Sequence, residues 1–174
     1  MKKAFVIFCL LAILLVNNVF AQNSTSVLHT DKNGGFSMYI PGDWRPVNVG
    51  LQYLAVVAPE DNGFTPNITI VEEEYTGGIS EYIDAVVTMI SATGFYADLR
   101  VLQQSSFTTN SGLQGGYVLF TARLNEITIR QKMYIIHNRS KTTIMGITGS
   151  SGLANGDKYD SVFDECVRTF EWSR

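Results

Sequence analysis

The chain is poor in residues that staple, ligate or catalyse. Of its two cysteines, Cys9 lies in an N-terminal apolar run, which leaves Cys166 alone. A single thiol closes no internal disulfide, so stability must come from packing. The two histidines, His29 and His137, stand far apart with no adjacent ligand residues. They mark neither a metal site nor a catalytic partner for Cys166. No nucleophile elbow and no His-Glu-x-x-His pattern occurs. The glycines of the segment 146–152 (GITGSSG) recur every third residue with no Lys-Ser/Thr after them. They read as a flexible strand-to-helix connection rather than a phosphate loop. With 13 basic against 16 acidic residues the net charge is −3, and no basic run stands out. Nucleic acid is therefore excluded as a partner.

What is present begins with a leader. Lys2 and Lys3 precede the apolar run Ala4 to Val16, Asn17 and Asn18 break it, and Val19-Phe20-Ala21 offers a small-residue cleavage site before Gln22. This is the three-part pattern of a secretory signal peptide, and the run is shorter than the ~20 residues that cross a bilayer. Bulky Phe8 ahead of Cys9 does not suit a lipid-attachment site. The expectation is a signal peptide over 1–21, a disordered polar segment over 22–26 and one domain over 27–174, periplasmic or extracellular, with no stable membrane anchor. The leader holds two of the basic residues and none of the acidic ones, so the exported chain stands at −5.

Strand and helix periods alternate along the domain. Phe36, Met38 and Ile40 alternate with Ser37 and Tyr39, the pattern of a half-buried strand ending at Pro41-Gly42. Gln52–Ala58 and Asn67–Tyr75 are further strand candidates, separated by the breaker-rich PEDNGFTP. Ile79, Tyr82, Ile83, Val86, Val87 and Ile90 share one helical face, with Thr76 or Ser80 available as cap and Gly94 as stop. Segment 95–149 returns to strands. A two-residue turn at Asn125-Glu126 would pair Leu124 with Ile127, Ala122 with Ile129, Phe120 with Gln131 and Val118 with Met133. The opposite face then carries Arg123 with Thr128, Thr121 with Arg130, Leu119 with Lys132 and Tyr117 with Tyr134, so apolar and basic residues separate cleanly. A turn over 138–141 leads into the strand 142–148. After a Gly/Ser loop over 149–156 comes a second helix, with Tyr159, Val162, Phe163, Cys166, Val167 and Phe170 on its apolar side. Asp157 and Asp160 suit its first turn and Arg168 its last. The predicted core includes Phe36, Met38, Ile40, Ile83, Val87, Ile90, Phe120, Ile129, Met133, Val162, Phe163 and Phe170.

Two groups of charges qualify as candidate sites. Glu72 and Glu74 share a strand face and offer oxygens to a hard cation, but no convergent loop supplies the rest of a shell, so a solvated strand end is the better reading. Arg123, Arg130 and Lys132, with Tyr117 and Tyr134 beside them, form the candidate partner-binding face. Arg and Tyr are the types enriched at interface hot spots. The competing reading is that a helix covers this face. Catalytic, cofactor-binding and metal-ligating residues: none are expected. Cys166 reads as a buried small hydrophobe.

The segment Phe36 to Trp44 (FSMYIPGDW), the strand opening Pro66-Asn67-Ile68, the helix Ile79–Ile90, the strand beginning Leu113-Gln-Gly-Gly-Tyr, the long hairpins and the closing helix ending in Thr169-Phe-Glu-Trp172 follow one another in an order that resembles the PsbP/Mog-like (DcrB-type) family, over residues 27–173. The resemblance implies an α+β fold, a mainly antiparallel β-sheet flanked by amphipathic helices. It also implies a non-catalytic binding or assembly protein, here of the bacterial cell envelope, whose partner is another envelope protein. The alternative is an extracytoplasmic hydrolase or metal-dependent enzyme with a dispersed site, to be recognised by buried titratable residues converging in a pocket. The lipidated cysteine of the DcrB-type members has no counterpart at this cleavage site.

Overall fold

The computed structural model describes residues 25–48, 50, 53–140 and 142–173. The predicted leader with Cys9, its cleavage site, and residues 22–24 of the predicted polar segment lie outside the described residues. Ser26, expected at the end of that segment, already pairs with Pro41.

The elements run β1 (Ser26–Asp31), β2 (Phe36–Pro41), β3 (Arg45–Pro46), β4 (Leu54–Val57), β5 (Asn67–Glu74), α1 (Ile79–Ala92), β6 (Ala97–Thr108), β7 (Gln114–Leu124), β8 (Ile127–His137), β9 (Thr143–Gly152), α2 (Gly156–Arg168) and β10 (Glu171–Trp172). Two sheets form among the described residues. The larger has the order β3-β4-β5-β9-β8-β7-β6 and the smaller β1-β2-β10, and every pairing is antiparallel.

The β7–β8 hairpin has the register that its pattern demands, with Leu124 opposite Ile127 and Tyr117 opposite Tyr134. Asn125 takes the left-handed conformation (φ 55) that the tight turn needs. Alternation then sends Met133 and Ile135 to one side of β8, and Tyr134 and Ile136 to the other. Each side carries its own core. On one side α1 lays Tyr82, Ile83, Val86 and Ile90 on Val118, Phe120, Ala122, Ile129, Met133 and Ile135. On the other, Phe163 and Val167 of α2 join Phe36, Met38 and Ile40 of the small sheet over Val56, Ile70, Ile136 and Ile147. The helices therefore lie on opposite faces, because the central strands are apolar on both. All the predicted core residues are buried except Val87 and Val162, which are half-buried at the helix flanks.

Two expectations fail on local grounds. The N-cap of α1 is Gly78 rather than Thr76 or Ser80, and the Glu81 carboxylate accepts the Gly78 N–H at 3.1 Å. Residues 149–152, expected in a flexible loop, belong to β9, and Ser150 and Ser151 are buried. The small residues there serve close packing. A Cβ on Gly149 would stand 2.4 Å from the Phe163 ring, and one on Gly156 would stand 2.2 Å from Arg130 Cδ. Small residues in β9 and at the start of α2 let the helix settle onto the sheet.

Candidate functional site

The basic face offered as a partner-binding candidate is covered by α2, as its competing reading had it. Asp157, Asp160 and Asp164 follow one another at helical spacing and meet the alternate residues Arg130, Lys132 and Tyr134 of β8. Arg130 donates to Asp160 Oδ2 from Nε (3.0 Å) and from a terminal nitrogen (2.6 Å), and that nitrogen also pairs with Asp157 at 3.0 Å. Lys132, only 5% exposed, donates from Nζ to both oxygens of Asp164 at 2.8 and 2.9 Å. Tyr134 donates its hydroxyl to Asp164 Oδ1 at 2.7 Å. The Lys132 ammonium also lies 4.4 Å from the centre of the half-buried Tyr117 ring, close enough for a cation–π contact. Burial, and then the bond to Asp164, push the Tyr134 phenol far up, so it stays a donor. The bond to Asp160 holds the Arg130 guanidinium above its ordinary value despite its partial burial.

Of the two readings of this face, the structure has the covering helix. Lys132, Tyr134 and Arg130 fix α2 to the sheet, Tyr117 packs beneath them, and Arg123 alone stands at the rim, 47% exposed and paired with Asp98 at 2.9 Å. The cause is charge complementarity between two segments some thirty residues apart. Asp164 escaped the sequence reading, and Asp157 and Asp160 were read only as acids suited to a helix start. The signal was there: an acidic stripe at i, i+3 and i+7, beside an apolar stripe, facing a strand with a basic side.

Of the cation candidates, Glu74 is exposed at the strand end, while Glu72 and the intervening Glu73 are engaged by hydroxyls. Glu72 accepts the Tyr53 hydroxyl at 2.8 Å and the Thr143 hydroxyl, and Glu73 accepts the Tyr82 hydroxyl at 2.9 Å. Burial raises the Glu73 carboxyl above its ordinary range, against the opposing pull of Tyr82. Among the described residues no group of three or more His, Cys, Asp or Glu is placed to hold a metal ion. Cys166 is buried, and that burial pushes its thiol up to about 12, which leaves it un-ionised and poorly nucleophilic.

Two surface hollows have another character. At one end of the large sheet, Asn62 (φ 53) and Gly63 (φ 78) make a tight turn between Asp61 and Phe64. With Glu126, Ile127, Leu153 and Tyr159 it bounds a hollow of about 300 Å³. Asp61 is already engaged there by Asn155 (2.7 Å), Tyr159 (2.9 Å) and Lys158 (3.3 Å). Burial and the bond to Asp61 raise the Tyr159 phenol. The second hollow, about 430 Å³, lies between the start of α1 and the outer strand β6. Ile79, Ile83, Gln104, Ser106 and Gly116 are among its walls, and no ionisable residue lines it.

No protein-family model matches the chain, and no curated protein matches it. Solved structures do. The solution structure of cyanobacterial PsbP (CyanoP) from Synechocystis aligns with a TM-score of 0.65 at 11% identity, over 91% of this chain and 98% of that one. The Ran-binding protein Mog1p of Saccharomyces cerevisiae aligns with a TM-score of 0.63 at 13% identity, over 86% of this chain and 96% of that one. LpqN of Mycobacterium tuberculosis, described as involved in cell envelope biogenesis, aligns with a TM-score of 0.61 at 15% identity, over 87% and 91%.

Proposed function

We propose, from the premise that this chain has the PsbP/Mog-like fold, that it is an exported accessory protein of the bacterial cell envelope which acts by binding another protein, not by catalysis. One observation carries the reading. The buried titratable cluster is spent on packing, since Arg130, Lys132 and Tyr134 are each bonded to an aspartate of α2, while the hollow beside β6 has no ionisable lining. General acid–base catalysis uses a titratable group within reach of substrate; Arg130, Lys132 and Tyr134 are bonded to α2, and at the 300 Å³ hollow Asp61 is engaged by Asn155, Lys158 and Tyr159. Export follows from the leader pattern. It accords with the description of LpqN as an envelope-biogenesis protein, and with the fact that no described helix is long and apolar enough to cross a membrane. Protein binding accords with the description of Mog1p as Ran-binding. Fold alone does not transmit a partner, so the partner must be found by experiment.

The test is crosslinking in intact cells, followed by mass spectrometry of the adducts and of the free chain. The expected result is a chain beginning near Gln22 and a reproducible adduct with an envelope protein. A chain that keeps Met1, or one that yields no adduct at any crosslinker length, defeats the proposal.

A further inference from the structure

We infer, building on the protein-binding reading above, that the outer edge of β6 from Gln103 to Thr108 takes up an extended peptide segment of the partner as an added strand, with an aliphatic side chain of that segment held in the hollow beneath α1. Among the described residues β6 is the last strand of the large sheet, bonded to β7 on one side only. Along its other side backbone N–H and C=O groups alternate outward. The ligand that satisfies such a row is another extended backbone.

Natural edges are blocked by charge, proline, bulges or brevity. The opposite edge of this sheet follows that rule, since β3 is two residues long and contains Pro46. β6 has twelve residues, and both of its register shifts precede Gln103. From Gln103 to Thr108 the pairing with β7 is continuous, Gln103 with Leu119 through Thr108 with Gln114. That stretch, QQSSFT, contains no charge, no proline and no glycine.

The hollow determines which side chain is taken. Gln104 and Ser106 pair with Val118 and Gly116, and Val118 lies in the core beneath α1. A strand laid beside β6 therefore turns alternate side chains toward α1, where Ile79 and Ile83 wall the hollow. A Cβ on Gly116 would meet these isoleucines at 2.8 and 2.9 Å, so glycine is what lets the helix come this close. Charge specifies a second residue. Arg100 pairs with Thr121 on the other side of the strand and is exposed, with no ion pair among the described residues, whereas neighbouring Asp98 is tied to Arg123. The fitting partner is an extended segment with an aliphatic residue toward α1 and a carboxylate toward Arg100.

A displayed library of random twelve-residue peptides, selected on the protein purified after export, tests this. Enriched peptides should share an aliphatic and an acidic position. In the wild-type protein they should slow hydrogen exchange of outward-facing amides within 103–108 by tenfold or more. Ser106→Trp, which fills the hollow from an exposed position, should weaken binding at least tenfold, and Arg100→Glu at least threefold. If no peptide is enriched, or if enriched peptides leave those amides unprotected, the edge is not a docking site. Should Ser106→Trp disturb folding, the exchange measurement on the wild type decides. If the cellular crosslink forms equally well with Ser106→Trp of unchanged melting temperature, the edge assignment fails while the protein-binding reading stands. Absence of any crosslink defeats that reading itself.

Discussion

Removing the Asp164 carboxylate should damage this fold more than removing the lysine it holds. Lys132 is 5% exposed, and its ammonium has two hydrogen-bond acceptors, both oxygens of Asp164. In Asp164→Ala the ammonium keeps only its contacts with the Tyr117 and Tyr134 rings, 4.4 and 5.5 Å from their centres, and the Tyr134 hydroxyl loses its acceptor. Breaking a buried pair by deleting one partner costs about 3–5 kcal/mol, and an orphaned buried hydroxyl adds about 1 kcal/mol or more. Asp164 is 34% exposed, so water reaches the gap, and we discount the total to about 3 kcal/mol. Lys132→Met leaves Asp164 able to hydrate and to keep the Tyr134 bond, while its flexible side chain fills the slot, so the loss should be about 1 kcal/mol. The double variant Asp164→Ala/Lys132→Met carries no stranded charge and should be more stable than Asp164→Ala alone, with a coupling of about 1–2 kcal/mol. Urea denaturation followed by circular dichroism reads all three. In a domain of this size about 3 kcal/mol corresponds to a fall in melting temperature of roughly 6–12 °C. A loss below about 0.5 kcal/mol for Asp164→Ala, or strict additivity in the double variant, would refute the claim that this pair fixes α2 to the sheet.

Charge reversal separates the two arginines of the predicted face. Arg123→Glu at the exposed rim should shift stability by no more than about 0.5 kcal/mol, whereas Arg130→Glu, placed against Asp157 and Asp160, should cost about 3 kcal/mol in the same titration. Equal effects would show that Arg130 is not engaged. Gly149→Ala should cost about 1–3 kcal/mol, because its Cβ stands 2.4 Å from the Phe163 ring. An unchanged melting temperature would mean that α2 packs differently. Glu73 tests a pH sign. Its folded carboxyl is raised by burial, so its contribution is fully present below the unfolded value and fades as pH rises through the raised one. Glu73→Gln keeps an acceptor for Tyr82 without the charge. Its melting temperature relative to the wild type should therefore climb between pH 4 and pH 8, and a flat or falling difference would contradict the assignment.

The sequence by itself determined the pieces and their internal faces. The β7–β8 register was legible because a period-two pattern on both sides of a two-residue turn permits only one pairing that keeps apolar residues together. Helix α1 was legible from six apolar positions at helical spacing and α2 from five, since Phe170, expected on the second helix, lies beyond its end at Arg168. Tertiary structure alone decided what lies on each face. Periodicity states that Arg130, Lys132 and Tyr134 point the same way. It is silent on whether water or a helix meets them, and central strands that are apolar on both sides leave either helix free to take either face. The acidic stripe of α2 resolves that choice only once Asp160 and Asp164 are brought across thirty residues of chain to β8. The small residues of GITGSSG carry the same lesson. In isolation they have the composition of a loop, and only the arrival of Phe163 against Gly149 shows why a buried strand must have no side chain there.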